Sequence, residues 1–583
     1  MSILNQRKAH RRISMMAMLF MLWLIFLIIR LFQLQVIEHP SLKTQVAQHN
    51  QNKKDIIPKR GTVYDRTGII LARSLPFRSV FYTSNEDESL ETQSEKINKL
   101  KDILNLTEAE YRNIIDRIEK NTSFIWIKRK IHPVKEEKVR KLRLSGVHFL
   151  EENKRFYPHG KRTAHLLGRV DIDEVGASGI EYSYNSVLAG IKGKHLILKD
   201  AKKRKYEFEI LKEPEDGKDL VLTIDETIQF YAEKELEKAV RKTGAKWGTV
   251  IIAHPSSGEI LAMANFPTYD LNNLPQNPAV VDRNNAIHHN FEPGSTFKIV
   301  TASAALETKI VSLADSFDCS RGYVSVAGKT IRDHQRYGIL SFPEVIIYSS
   351  NVGTVQISRD LDRNSFHQII RNFGFSKKTG INLPAEEKGI FREVKDWSRI
   401  SSASLSIGYE ISVTALQMLQ AINIIANEGI LIPPRIVRRV LNSSDETAQS
   451  PLPGIRIISR DTASKLTAIL QEVVQGGTGS PARIKGYRIA GKTGTAQKFD
   501  PSTGYYSSEA HIVSFAGFVP ADNPAFSMIV VIDEPAGPYY GGEVAGPVFR
   551  EIGRQVLQYL KIPSQRTPLN KIIVDNRWRL SNR

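Results

Sequence analysis

Cysteine is almost absent from this chain: Cys319 is the single one among 583 residues. An intramolecular disulfide is therefore excluded, as is any zinc or iron–sulfur site built from several cysteines. Acidic residues are missing from positions 1–14, which carry Arg7, Lys8, Arg11 and Arg12. Apolar runs of membrane length are missing everywhere except once near the N-terminus, which excludes a polytopic membrane protein. No internal repeat is present, and no RNP, zinc-finger or basic-zipper pattern accompanies the net charge of +19. The basic residues are scattered, as on a protein working beside an anionic surface such as lipid or wall polymer, rather than gathered for nucleic acid. What is there is ordinary for a folded chain, with 41% hydrophobic and 25% charged residues, and the length allows several domains.

The one apolar run is unbroken from Met15 to Ile29 and continues through Leu31, Phe32, Leu34, Val36 and Ile37. A cleavable signal needs small residues after its apolar region, and the flank RLFQLQVIEHP has none. The expectation is a retained single-pass anchor over 15–37. Its basic flank 1–14 would be a cytoplasmic tail, with everything from about 40 onward outside the cytoplasmic membrane.

Residues 38–57 are polar and are expected to form a stalk. From 58 the texture is β-rich, with a turn signal at Asp65-Arg66-Thr67-Gly68. A capped amphipathic helix is predicted over 107–118, where Thr107 and Glu110 have capping-box spacing. A strand is predicted at Phe124–Ile127 and a charged hairpin around His195–Ile210. The polar break Glu213–Gly217 suggests a domain boundary, giving units over 58–215 and 219–561 and a flexible tail over 562–583. The second unit opens with a helix near Ile228–Lys242, then two strands joined by Pro255-Ser256-Ser257-Gly258, a hairpin signal. Helices dominate 295–425, strands return after 487, and a helix closes the unit near Val548–Leu560. That order predicts one α/β layer structure whose sheet is completed by both ends of the unit.

Three short motifs follow one another in this second unit. Ser295-Thr296-Phe297-Lys298 puts a hydroxyl and an amine three residues apart, on one helix face. Pro293-Gly294 suits the helix entry, where unpaired N–H groups can face a developing anion. A serine becomes nucleophilic when a base takes its proton, and a desolvated lysine can be that base. Ser349-Ser350-Asn351 adds a hydroxyl and an amide, although read alone it is an ordinary helix cap. Lys492-Thr493-Gly494-Thr495, in a predicted strand, offers a cation and two hydroxyls for a carboxylate, with Gly494 permitting close approach of substrate to the backbone. Gly486 to Thr493 also satisfies the phosphate-loop pattern. That pattern requires a strand before and a helix after, and SPARIK and TAQKFDPSTG supply neither.

The three motifs in this order are similar to the signature of penicillin-recognising serine acyltransferases. Over about 15–560 the chain resembles the class B penicillin-binding proteins. Arg60-Gly61, Asp65-Arg66, Arg155-Phe156-Tyr157-Pro158, His165, Gly168 and Gly179-Ile180-Glu181 resemble their pedestal. The short anchor, the FEPGSTFK context and Tyr539-Tyr540-Gly541-Gly542 resemble the division-specific FtsI type, which commonly has GYG where this chain has Gly408-Tyr409-Glu410.

The resemblance implies a membrane helix, a β-rich pedestal, and a β-lactamase-like α/β transpeptidase domain with an antiparallel sheet flanked by helices. It implies a D-Ala-D-Ala stem-peptide donor, β-lactams as inhibitors, an FtsW-like glycosyltransferase and other division proteins as partners, and no metal or cofactor. By the same resemblance Ser295 is the nucleophile and Lys298 its base. Ser349 and Lys492 relay a proton, Asn351 orients the donor amide, Thr493, Gly494 and Thr495 bind substrate, and the N–H groups of Ser295 and Thr495 form the oxyanion hole. The deacylating glutamate of class A β-lactamases has no counterpart, since Leu441-Asn442 is preceded by Arg438. An elongation-type or accessory transpeptidase, or mainly a divisome scaffold, is the alternative.

Overall fold

The structure is a computed structural model that describes residues 2–38, 51–84, 88–122, 124–199, 205–441, 446–448, 453–537 and 540–564. It divides into two compact units, one of residues 1–59 with 190–217, the other of 60–189 with 218–583.

In the first unit a helix α1, Ser2–Phe32, runs on into a short π-helical turn, Gln33–Ile37. Its window His10–Ile37 has mean hydropathy 2.5 and is 0% buried, the one described helix long and apolar enough to cross a membrane. An apolar cylinder with no protein around it satisfies its own backbone and leaves its side chains to lipid. Residues 39–50 of the expected stalk lie outside the described residues, but Gln51–Ile56 is a strand, antiparallel to Gly193–Lys199, which in turn pairs with Lys205–Lys212. The stalk expectation is corrected there. QNKKDI has no apolar alternation, so nothing local announces a strand, and its partner lies far along the chain. The hairpin expected at 195–210 is present, with its tip, 200–204, outside the described residues.

The second unit begins with β1, Val63–Tyr64, and β2, Ile70–Tyr82, joined by the expected turn. The Asp65 side chain is fully buried and accepts from the N–H groups of Thr67 and Ile69, each at 2.8 Å, and of Glu226 at 3.1 Å. β2 pairs with β3, Ile125–Ile131, and with β4, Val147–Phe156. Helices α2, Leu90–Leu104, α3, Glu108–Glu119, and α4, Pro133–Lys141, cover one face of these strands. The core there joins Val80 and Tyr82 to Ile97, Leu100, Ile114, Ile118 and Val139. The predicted capping box starts α3: Thr107 accepts from Glu110 N–H and Glu110 from Thr107 N–H.

Three of the pedestal motif residues meet in one buried cluster. Arg60 and Arg155 bond opposite oxygens of Glu181 at 2.8 and 2.7 Å, and all three are under 5% exposed. The sheet does not stop at the polar break. β5, Asp219–Leu222, lies parallel to β1 and antiparallel to Val437–Leu441, so strands from either side of residues 213–217 share it.

A second sheet has five strands, all antiparallel. Helix α5, Glu226–Thr243, precedes β6, Trp247–Ala253, and β7, Ile260–Phe266; β8, Ala490–Asp500, β9, Tyr505–Val519, and β10, Phe526–Asp533, come from the far end of the chain. The order is β7-β6-β10-β9-β8, so both ends of the unit complete one sheet, as the element order predicts. Alternate residues serve two cores. Val250, Ile252 and Val530 pack on Leu236 and Val240 of α5. Ile251, Ala253 and Val531 join the opposite core, which holds α6, Lys298–Glu307, α8, Ala415–Ala426, and α9, Arg460–Gln475. Helix α7, Asn351–Arg359, packs against α6, and the last described helix is α10, Gly541–Tyr559, which packs beside α5.

Candidate active site

Ser295 lies in a single 3-10 turn, Gly294–Phe297, that runs straight into α6. Side chains three apart eclipse in that geometry, so Ser295 and Lys298 share a face more closely than in an α-helix. Gly294 has φ +54°, and a Cβ there would stand 2.6 Å from the Thr495 carbonyl oxygen. Gly408, at φ +84°, accepts from Gly294 N–H at 3.1 Å, and a Cβ on it would lie 2.1 Å from Gly294 O. Three backbones thus converge behind the serine, and side chains are excluded from two of them.

Lys298 is fully buried and its ammonium donates to Ser349 O at 2.6 Å and Asn351 Oδ1 at 2.8 Å, with Ser349 Oγ at 3.4 Å. Burial pulls its pKa down to about 7, against the opposing pull of Asp333 and Cys319. Lys492, also fully buried, donates to Ser349 Oγ at 2.8 Å. Its pKa is driven well below the ordinary lysine value by burial, then by the charge of Lys298. Desolvation disfavours an ammonium, and a second cation nearby disfavours it further.

Ser349 has φ +60°, the left-handed region that a serine seldom occupies. That turn sends its carbonyl to one lysine and its hydroxyl to both. Ser350 is the cap of α7, accepting from Gly353 N–H at 2.9 Å. Ser350 thus fills the helix-cap reading of Ser349-Ser350-Asn351, while Ser349 and Asn351 on either side of it face the two lysines.

Lys492, Thr493, Gly494 and Thr495 lie in β8, in register with Ala516 to Val513 of β9. A lysine inside a strand, preceded by the 3-10 turn Ser480–Ala482, excludes the phosphate-loop geometry. Gly494 also has a packing requirement of its own, beside the expected approach of substrate. A Cβ there would lie 2.3 Å from Ser514 Oγ, 2.8 Å from Thr296 Cγ2 and 3.0 Å from Pro293 O, so the serine's own segment packs against it. Thr493 Oγ1 is 2.9 Å from Thr478 Oγ1, and Thr495 Oγ1 accepts from Gly541 N–H at 3.1 Å, at the start of α10.

All eight sequence-predicted residues therefore lie on three segments that meet where α6, the start of α7 and β8 come together. Sequence reasoning missed Thr478, the His334–Tyr540 pair at 3.0 Å, and Asp333, which binds the N-terminus of α7. His334 and Asp333 lie in a polar loop without diagnostic spacing. Tyr540 and Gly541 were visible only as part of the YYGG resemblance. Among the described residues no group of three or more His, Cys, Asp or Glu could hold a metal ion.

An antiparallel five-stranded sheet with helices on both faces, and a serine beside two buried lysines on its edge, define a penicillin-binding transpeptidase domain carried on a pedestal. Residues 248–554 match the family model of the penicillin-binding protein transpeptidase domain, and residues 55–222 that of the penicillin-binding protein dimerisation domain. The chain belongs to the class B penicillin-binding proteins of the FtsI type. It is 33% identical over 537 residues to peptidoglycan D,D-transpeptidase FtsI of Escherichia coli K12, covering 91% of this chain and 89% of that one. It is 34% identical over 526 residues to stage V sporulation protein D of Bacillus subtilis, covering 88% and 80%. Among solved structures, penicillin-binding protein 3 of Mycobacterium tuberculosis complexed with ampicillin superposes with a TM-score of 0.70 at 28% identity, covering 88% of this chain and 98% of that one.

Proposed function

We propose that this protein is a septal peptidoglycan D,D-transpeptidase, anchored by α1 with its N-terminus in the cytoplasm and its catalytic unit outside. Family membership carries the transpeptidase assignment and β-lactam binding. The observation that carries the mechanism is the Ser349 hydroxyl held by Lys492 at 2.8 Å and faced by Lys298 at 3.4 Å.

Lys298, half deprotonated near neutral pH, takes the proton of Ser295 as its oxygen attacks the penultimate carbonyl of a D-Ala-D-Ala donor. The C–O bond forms, and the negative charge moves to the carbonyl oxygen, facing the N–H groups of Ser295 and Thr495. Each such donor contributes about 2.7–4 kcal/mol in comparable sites. The C–N bond then breaks, with the proton that Lys298 took relayed to the departing D-Ala nitrogen by Ser349 and Lys492. An acceptor amine attacks the acyl-enzyme by the reverse route, regenerating Ser295 and forming the cross-link. Asn351 orients the donor amide. Thr493, Gly494 and Thr495 hold the terminal carboxylate beside the first N–H groups of α10, where an anion is favoured. The septal role, and partners that include an FtsW-like glycosyltransferase, rest on the FtsI-type resemblance.

The test is covalent labelling of the purified chain by a fluorescent penicillin, with the adduct mapped by mass spectrometry. Label on Ser295, absent from Ser295→Ala, is expected; label elsewhere overturns the mechanism. A fluorescent fusion at mid-cell rings supports the septal role, and lateral-wall patches overturn it.

A further inference from the structure

We propose that Asp333 is a positioning residue of the acyl-transfer site, holding the Ser350–Val352 turn so that Asn351 presents its amide oxygen to Lys298. It lies outside all three motifs, directly after the strand Lys329–Arg332. One carboxylate oxygen accepts from the N–H groups of Asn351 at 2.5 Å and Val352 at 3.0 Å; the other accepts from Ser350 Oγ at 2.7 Å. These N–H groups open α7 and have no partner within the helix. A carboxylate at that end also suits the helix dipole.

A cap alone would make Asp333 merely structural, but two further contacts tie it to the chemistry. Arg332 O accepts from Asn351 Nδ2 at 2.8 Å, so the 332–333 segment holds both the backbone and the side chain of Asn351. With its NH₂ group committed there, the amide oxygen is left facing Lys298 Nζ at 2.8 Å. The second contact is electrostatic. The charged groups facing Lys298 are Lys492 from β8 and, from the hairpin segment before α7, Asp333 and the thiol of Cys319. Asp333 is the one acid among them, and its charge opposes the effect of burial on Lys298. Asp333 therefore sets both where the Lys298 amine sits and the pH at which it loses its proton.

The inference rests on Lys298 being the base, and the experiment separates the two. The second-order rate of acylation by a fluorescent penicillin is measured against pH for the full chain in detergent, for Asp333→Asn and for Ser350→Ala. Asp333→Asn keeps an acceptor oxygen and loses the charge, so its acid limb is expected to move down by about half a pH unit or more. Ser350→Ala keeps the charge, and its limb is expected to stay in place while the rate falls. Unchanged rate and unchanged limb in folded Asp333→Asn overturn the inference and leave the base assignment intact. A parent chain with no acid limb overturns the base assignment and this inference with it. If Asp333→Asn is unfolded by circular dichroism, Asp333→Glu replaces it. The displaced carboxylate is then expected to cost about tenfold or more in rate, and a rate within about twofold of the parent overturns the inference.

Discussion

Lys298 and Lys492 reach a single hydroxyl, that of Ser349, at 3.4 and 2.8 Å from different elements, α6 and β8, and both are fully buried. Neither meets a carboxylate: Lys298 donates to a carbonyl, an amide oxygen and a hydroxyl, Lys492 to a hydroxyl and its neighbour's carbonyl. Buried cations without a paired anion are held only where the neutral form is accessible, which is what a base requires.

The pH dependence follows with a definite sign. In the proposed mechanism the neutral amine of Lys298 is the active form, and its pKa is lowered to about 7. Acylation is therefore expected to rise with pH through that value and level off above it. A rate that instead falls on raising pH from 6 to 8 would contradict the assignment.

Lys298→Arg is expected to fold and to lose acylation by roughly a hundred- to ten-thousand-fold, the usual contribution of a positioned base. A guanidinium does not deprotonate in proteins. Burst-free penicillin kinetics on a protein with parental circular dichroism would bear this out; acylation at the parental rate would exclude Lys298 as base.

Gly494→Ala tests the packing behind the nucleophile. The added methyl would meet Ser514 Oγ at 2.3 Å and the backbone and methyl of residues 293 and 296 within about 3 Å. Overpacking of this kind typically costs about 1–3 kcal/mol, and here it displaces the turn that carries Ser295. Acylation should fall by far more than thermal stability does, which parallel rate and melting measurements would reveal.

Glu181→Ala should destabilise the pedestal, because it removes the one carboxylate that hydrogen-bonds both buried Arg60 and Arg155. Breaking a buried pair in this way costs about 3–5 kcal/mol. A lowered urea midpoint, followed by tryptophan fluorescence, is the expected readout, and an unchanged midpoint would refute it.

What the sequence made legible was chemistry held at fixed spacing. Ser295 and Lys298 sit one turn apart wherever they lie on a helix, and Thr107 and Glu110 announce their own cap. The sheet completed from both ends was readable because Thr249–Ala253 and Phe526–Asp533 are apolar runs. Asp333 was not readable, since its partners lie 17 to 19 residues away and meet it only through the fold. The first turns of α10 were hidden by Gly541, Gly542, Gly546 and Pro547, poor helix formers. Close approach demands the first two: a Cβ on Gly541 would lie 2.3 Å from Gly494 O, and one on Gly542 would lie 2.4 Å from Thr478 O. Packing against the active-site strand overrides local propensity there. The packing of Gly494 against Ser514, Thr296 and Pro293 was not readable, because a sequence does not say which backbone comes close.

Removing residues 1–40 tests the division of labour between anchor and enzyme. Every residue assigned to the site lies between Ser295 and the start of α10, and the window His10–Ile37 is 0% buried in protein. The cut leaves Gln51–Ile56 free to pair with Gly193–Lys199. The truncated chain is therefore expected to be soluble without detergent and to acylate Ser295 within about twofold of the full chain, since no interaction that stabilises the transition state has been removed. In cells dependent on this protein it is expected not to restore division, because the site would no longer be confined to the membrane surface where its substrate is made. Loss of acylation in a truncated chain that remains folded would place α1 among the elements that build the site. Restored division from the soluble form would show that confinement to the membrane is dispensable.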